Sequence, residues 1–169
     1  MELQDDELIM IYDGIVKNSG HPDPVGYMAR AFLLSEFDPD FSLPDGTRGF
    51  MPVHPEFAYT LTGTADITSL EANLMTTLAM DLMIFERYGR IEDMMIKFHA
   101  ADLEATEPNH LLRGILGDMK EAKEELSKFL NPRPATVKDV VEILKSIIDL
   151  EDKATKDQKE IFKKLIATT

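Results

Sequence analysis

What most constrains this chain is the contrast between one stretch crowded with turn formers and the helical periodicity on either side of it. Between Phe37 and Asp66 come Asp38-Pro39-Asp40, Pro44-Asp45-Gly46, Gly49, Pro52, Pro55 and Gly63. Proline removes a backbone donor and fixes φ, while glycine and aspartate favour turns, so the spacing leaves no room for a long regular element. The segment reads as a long irregular stretch holding at most short strands or helical turns. Irregular segments of this length in a compact domain usually carry function.

The flanks read as helices. Leu8, Ile11, Tyr12, Ile15 and Val16 recur every three or four residues, which predicts an amphipathic helix over 3–18 stopped by Asn18-Ser19-Gly20. Pro22 and Pro24 open a second helix, because proline is accommodated in a first turn, and Val25, Met28, Ala29, Phe32 and Leu33 carry it to about Glu36. Downstream, Thr68 or Ser69 caps a helix so broadly apolar, from Leu70 through Leu74, Leu78 and Met80 to Phe85, that it should be central, with Gly89 as its stop. Ile91, Met94, Met95 and Phe98 predict a short helix. Pro108 or Asn109 starts a longer one through Leu112, Ile115, Met119 and Leu126 to Leu130, in which Gly114 and Gly117 mark close packing or a kink.

Asn131-Pro132-Arg133-Pro134 is a stiff break. Beyond it, Val137, Val140, Val141, Leu144, Ile147 and Ile148, then Ile161, Phe162, Leu165 and Ile166, predict a C-terminal helical hairpin. The fold class is therefore mainly α: one domain over residues 1–131 and a helical extension over 132–169. A chain of 169 residues can bury about two-thirds of its unfolded surface in a single core.

Composition narrows the chemistry. Eighteen basic and 31 acidic residues give a net charge of −13, which repels nucleic acid and anionic lipid. The densest basic run, Lys153 to Lys164, is preceded by Glu151 and Asp152 and interrupted by Asp157 and Glu160. The absence of cysteine excludes thiolate metal sites, disulfides and cysteine nucleophiles. The start, Met-Glu-Leu-Gln-Asp-Asp-Glu, lacks the basic and apolar regions of a signal peptide, and no apolar run approaches the roughly 18 residues of a membrane span. The chain is therefore expected to be made in a cytoplasm, without a leader and without a membrane span.

His54 with Glu56, His21 and His110 form no His-Glu-x-x-His pattern, so no zinc site is expected. Asp38, Asp40 and Asp45 lack the spacing of a calcium loop and read as turn formers. No Gly-rich phosphate loop or Gly-x-Ser-x-Gly elbow is present, and no cofactor is expected. The ten methionines fall mostly at helical spacing and read as core.

Four blocks in succession resemble the lytic transglycosylases of the lysozyme-like, goose-type fold. That family carries Glu-Ser-x-Phe-Asn-Pro at a helix end, then Gly-x-Arg-Gly-Leu-Met-Gln, then Asn-Ile opening a long helix, then Tyr-Asn-Ala-Gly. Here the blocks read Leu34-Ser35-Glu36-Phe37-Asp38-Pro39, Gly46-Thr47-Arg48-Gly49-Phe50-Met51-Pro52, Asn73-Leu74 and Phe98-His99-Ala100-Ala101. The helix after Asn73 closes on Arg87-Tyr88-Gly89, similar to the family's Arg-Tyr-Gly, and the resemblance spans roughly residues 8 to 105.

The resemblance implies a cleft lined by Leu34, Ser35, Met51, Pro52, Phe98 and His99, with Leu34 where the family keeps its catalytic glutamate. Leucine cannot transfer a proton, and losing a general acid costs at least ~10²–10⁴-fold in rate. The family's glutamine, tyrosine and asparagine are replaced by Pro52, Phe98 and His99, whereas the packing residues Gly49, Met51 and Ala100 remain. His99 is read as a cleft-lining residue rather than a ligand or base.

Glu36 is the one alternative acid. On a continuing helix, two residues turn it ~200° from Leu34. The resemblance thus implies a catalytically silent structural or adaptor protein, with other virion or assembly proteins as partners, of the kind carried in phage tails, baseplates or virion interiors. Two alternatives stand beside it: a peptidoglycan-cleaving enzyme that uses Glu36, and a non-catalytic module that binds the peptidoglycan glycan strand.

Overall fold

The structure is a computed structural model describing residues 2–131 and, beyond them, 137–138, 141–142 and 144–145. The chain divides into two compact units, Met1–Asn131 and Pro132–Thr169. The described residues of the second unit are helical; the remainder of the expected hairpin lies outside the described residues.

The first unit is mainly helical, in the order α1 (Asp5–Ile11), a π-helical turn (Tyr12–Val16), α2 (Pro24–Ser35), α3 (Pro55–Thr62), α4 (Leu70–Tyr88), α5 (Ile91–Ala100), α6 (His110–Leu116) and α7 (Met119–Leu130). Local chemistry sets most of the ends. Asp23 caps α2 by accepting from the Gly26 N–H at 3.1 Å, with Pro24 in the first turn. Ser69 caps α4 through the Ala72 N–H, and Asn109 caps α6 through the Leu112 N–H. These satisfy amides that a helix start leaves open. Gly63 and Gly89 close α3 and α4 in left-handed conformations.

α2 packs on α7, and α4 on α3 and α5. The core between them includes Tyr27, Met28, Phe50, Met51, Leu74, Met80, Ile84 and Met94, all at most 1% exposed. Among the described residues no helix is long and apolar enough to cross a membrane.

Three expectations need correction. The expected 3–18 helix is α-helical only to Ile11. Its next turn widens, with the Lys17 N–H donating to the Tyr12 carbonyl five residues back at 2.8 Å, and Tyr12 and Val16 both stay buried.

The segment 37–66 is not irregular throughout, because α3 occupies Pro55–Thr62. Pro55 acts there as a first-turn residue behind the His54 cap, and Phe57 and Ala58 supply a buried face. Finally, the single helix expected from residue 108 or 109 to 130 is two. The chain turns at Gly117-Asp118, where the Asp118 N–H bonds back to Ile115, letting α6 reach α5 while α7 lies along α2.

The rest of the long segment is held by its own backbone and by one side chain. Arg48 bridges both Ser42 and Val53, and the Gly49 N–H donates to Phe41. Asn73, 1% exposed at the start of α4, accepts from the Met51 N–H at 2.9 Å and donates to the Met51 and Arg48 carbonyls at 3.1 and 3.4 Å. This contact requires glycine at position 49. Its φ is +105°, and a Cβ there would lie 2.1 Å from the Asn73 amide nitrogen.

Gly49→Ala should therefore cost at least ~1–3 kcal/mol of backbone strain and in addition break the Asn73 clamp. Gly63→Ala, where φ is +77° and an added Cβ would meet no atom within 4 Å beyond its chain neighbours, should cost only the left-handed penalty of ~1–2 kcal/mol. Urea unfolding of the two variants checks the order; equal losses would contradict it.

Candidate functional site

Two polar assemblies stand out, one buried and one open. The buried one joins α2, α4, α5 and the turn before α2. Arg30, 1% exposed, reaches Asp81, 0% exposed, through both terminal nitrogens, at 2.8 and 3.1 Å. Its Nε donates to His99 Nε2 at 3.0 Å, and its guanidinium lies 5.3 Å from the centre of the Phe98 ring. His21 Nδ1 accepts from the Asp23 N–H at 2.9 Å, which leaves its proton on Nε2 to donate to Asp81 at 2.7 Å.

Next to this cluster, Thr77 gives its hydrogen to the Asn73 carbonyl at 2.8 Å. The Tyr27 hydroxyl, 2.7 Å from Thr77 Oγ1, is therefore the donor in that pair. A continuous set of bonds thus runs from α2 through α4 to the Asn73 clamp.

Burial sets the ionisation states. It raises the Tyr27 phenol well above its usual range. It would raise the Asp81 carboxyl too, but the Arg30 charge and the hydrogen bonds from His21 and Arg30 outweigh it and hold Asp81 below the ordinary carboxylate value. For His99, burial and then the Arg30 charge push the imidazole down to about 3, against the opposite pull of Asp81. A neutral His99 is what the geometry needs, since its Nε2 serves as an acceptor. These groups spend their bonding capacity on one another, which is how buried charge is held in a core.

The open assembly lies where α2 ends. A cavity of about 610 Å³ is lined there by Leu33, Leu34, Ser35, Glu36, Phe37 and Asp38, together with side chains of the N-terminal segment and Phe41. Glu36 and Phe37 are both left-handed, with φ of 54° and 61°, a conformation that costs non-glycine residues of order 1–3 kcal/mol each. Packing compels it. The Phe37 ring stacks on Phe50 and touches Phe32, each at 5.4 Å, and the Ser35 hydroxyl lies 2.6 Å from the Phe50 carbonyl and 2.9 Å from that of Ala31.

The residues expected to line one cleft separate into two groups. Leu34, Ser35 and Glu36 meet at the cavity, with Leu34 half-buried and Glu36 exposed. Met51, Pro52, Phe98 and His99 are buried and do not line it. Met51 lies under the Asn73 clamp, and Phe98 and His99 lie against Arg30. The helical rotation expected between Leu34 and Glu36 does not apply, because α2 stops at Ser35 and the left-handed turn brings both residues to the same cavity.

From the sequence, His21 is weighed only as a zinc ligand and set aside, and Arg30, Asp81, Tyr27 and Thr77 are not singled out. The available signal was charge inside apolar runs: Arg30 lies between Ala29 and Ala31, and Asp81 within Leu78–Phe85. Among the described residues no group of three or more His, Asp or Glu is arranged to hold a metal ion. No protein family, no curated protein and no solved structure matches the chain.

The two shifted groups of the buried cluster make stability pH-dependent in one direction. Between its ordinary value of 6.5 and about 3, His99 binds a proton in the unfolded chain and not in the folded one. Stability should fall with pH across that window by up to ~1.4 kcal/mol per unit. Below ~3.9 the unfolded Asp81 also protonates ahead of the folded one, adding to the loss. His99→Gln keeps an acceptor for Arg30 and should flatten the profile between pH 6.5 and 4. Denaturant titrations at several pH values check this; identical slopes for the two proteins would contradict it.

Proposed function

We propose that the chain is a non-catalytic, lysozyme-like module of the lytic transglycosylase class that serves as a structural or adaptor protein. The observation that carries this reading is the wall of the cavity at the end of α2. In the register set by Phe37-Asp38-Pro39, the position of the family's acid is Leu34, and Glu36, the carboxylate two residues on that lines the same cavity, is exposed to solvent. A general acid for glycoside cleavage needs a carboxyl group kept protonated by apolar enclosure, and Glu36 lacks that enclosure.

The other blocks of the resemblance support the same reading. Phe98 and His99 pack against and bond to Arg30, and Met51 and Pro52 are covered. These four positions contribute to shape and supply no polar group to the cavity. The partners of such a module are other proteins of an assembly, with a phage particle as the setting that the resemblance suggests.

One observation favours a second reading, an enzyme that uses Glu36. The end of α2 brings Glu36 to the same cavity as Leu34, and backbone strain of the kind seen there often marks functional positions.

Incubation of the full chain with purified peptidoglycan separates the readings. The proposal expects no loss of turbidity, no release of soluble muropeptides and no co-sedimentation with the insoluble glycan. Clearing that Glu36→Gln abolishes would establish the enzyme instead, and co-sedimentation without clearing would establish a glycan-binding module.

A further inference from the structure

A second open surface lies along α2 and α7. There α2 and α7 leave a groove of about 450 Å³ with an apolar floor that includes Phe32, Leu126 and Phe129. Phe32 is 43% exposed. Its ring is nonetheless held against Phe37 at 5.4 Å, so a ligand would meet a side chain already in place.

All the charged side chains that line the groove are acidic: Asp118, Glu121 and Glu125. The lysines of α7, Lys120, Lys123 and Lys128, lie outside the lining, and Lys123 is engaged with Asp23 at 2.9 Å. The three carboxylates recur at helical spacing along one edge of α7, so the apolar floor and acidic edge run parallel for about two turns.

We propose that this groove receives a basic amphipathic helix from a partner protein. Its apolar stripe would cover Phe32, Leu126 and Phe129, and its lysines or arginines would face Asp118, Glu121 and Glu125. A helix laid in an apolar groove is a recurrent mode of protein recognition, and charge complementarity at the edge selects the partner and speeds encounter. The chain's net charge of −13 acts in the same direction. An acidic helix, an anionic membrane or a nucleic acid would meet repulsion at the same edge. The inference is independent of the cavity reading, since Glu121 and Glu125 do not line that cavity.

The test uses the full chain and a fluorescein-labelled synthetic helix of leucine and lysine about four turns long, with leucines on one face, read by anisotropy. Binding is expected, weakening as salt rises, with no binding of the matching leucine–glutamate peptide. Glu121→Lys with Glu125→Lys should weaken it roughly tenfold or more. Glu104→Lys with Glu107→Lys makes the same change of net charge at exposed positions outside the groove and should leave affinity nearly unchanged. Phe32→Ala should weaken binding without changing the far-UV circular dichroism spectrum. Absence of binding, or equal weakening by both charge-reversed pairs, would overturn the proposal, the latter because it assigns the attraction to overall charge.

Discussion

The structure depends on one buried ion pair. Arg30 and Asp81 come from the middles of α2 and α4, and neither has access to water. Carrying two charges into a core costs several kcal/mol each unless their geometry and remaining hydrogen bonds compensate. Here no buried side-chain nitrogen or oxygen among the described residues lacks a partner: the guanidinium uses both terminal nitrogens on Asp81 and its Nε on His99, and Asp81 takes a further bond from His21. Because the partners belong to four separate stretches of chain, the pair fixes how α2, α4, α5 and the turn at His21 meet. Buried apolar side chains such as Met28, Met80 and Met94 supply area, and the ion pair supplies register.

With α2 and α4 fixed, the long loop follows. Tyr27 bonds Thr77, Thr77 bonds the Asn73 carbonyl, and the Asn73 side chain holds Met51 and Arg48. The loop then presents the Phe50 carbonyl to Ser35 and the Phe50 ring to Phe37, which brings Glu36 and Phe37 into their left-handed turn. The cavity wall is thus the last consequence of a chain of contacts that begins in the core. In the functional reading advanced above, this architecture is kept while the reacting group is missing, because Leu34 contributes surface and no proton.

Much of the fold was legible in the sequence because it rests on local signals. Pro24, Ser69, Asn109 and Gly89 are starts and stops that act over a few residues, and apolar spacing marks α2 and α4 as helices, although it misplaces part of their buried faces: Phe32 and Met83 are exposed, while Arg30 and Asp81 are buried. The misreadings came from features whose sense depends on tertiary context. Pro55 breaks a helix that precedes it and starts one that follows. Gly117 is tolerated within a helix until two packing partners pull its halves apart. The π turn at Tyr12 adds one residue to a turn without changing the apolar pattern.

The candidate site was legible in part. The Leu34–Glu36 stretch is singled out by its block, and a cavity is lined by these residues. Whether Leu34 and Glu36 share a wall turns on where α2 stops, and no residue type at position 36 announces that stop. His99 reads from the sequence as a cleft-lining residue, and its bond to Arg30 is not legible because that partner lies 69 residues away. Such a pairing leaves no local trace beyond a charge in an apolar run.

A double-mutant cycle on Arg30 and Asp81 tests most directly the claim that the buried charges serve architecture. With Arg30→Met and Asp81→Leu, each single change strands the opposite charge and should cost about 3–5 kcal/mol. The double variant should lose clearly less than the sum of the two, because neither charge is then left unpaired. Single losses of about 1 kcal/mol or less, adding without coupling, would contradict the account, since they would mean that water reaches the pair and the fold does not rest on it.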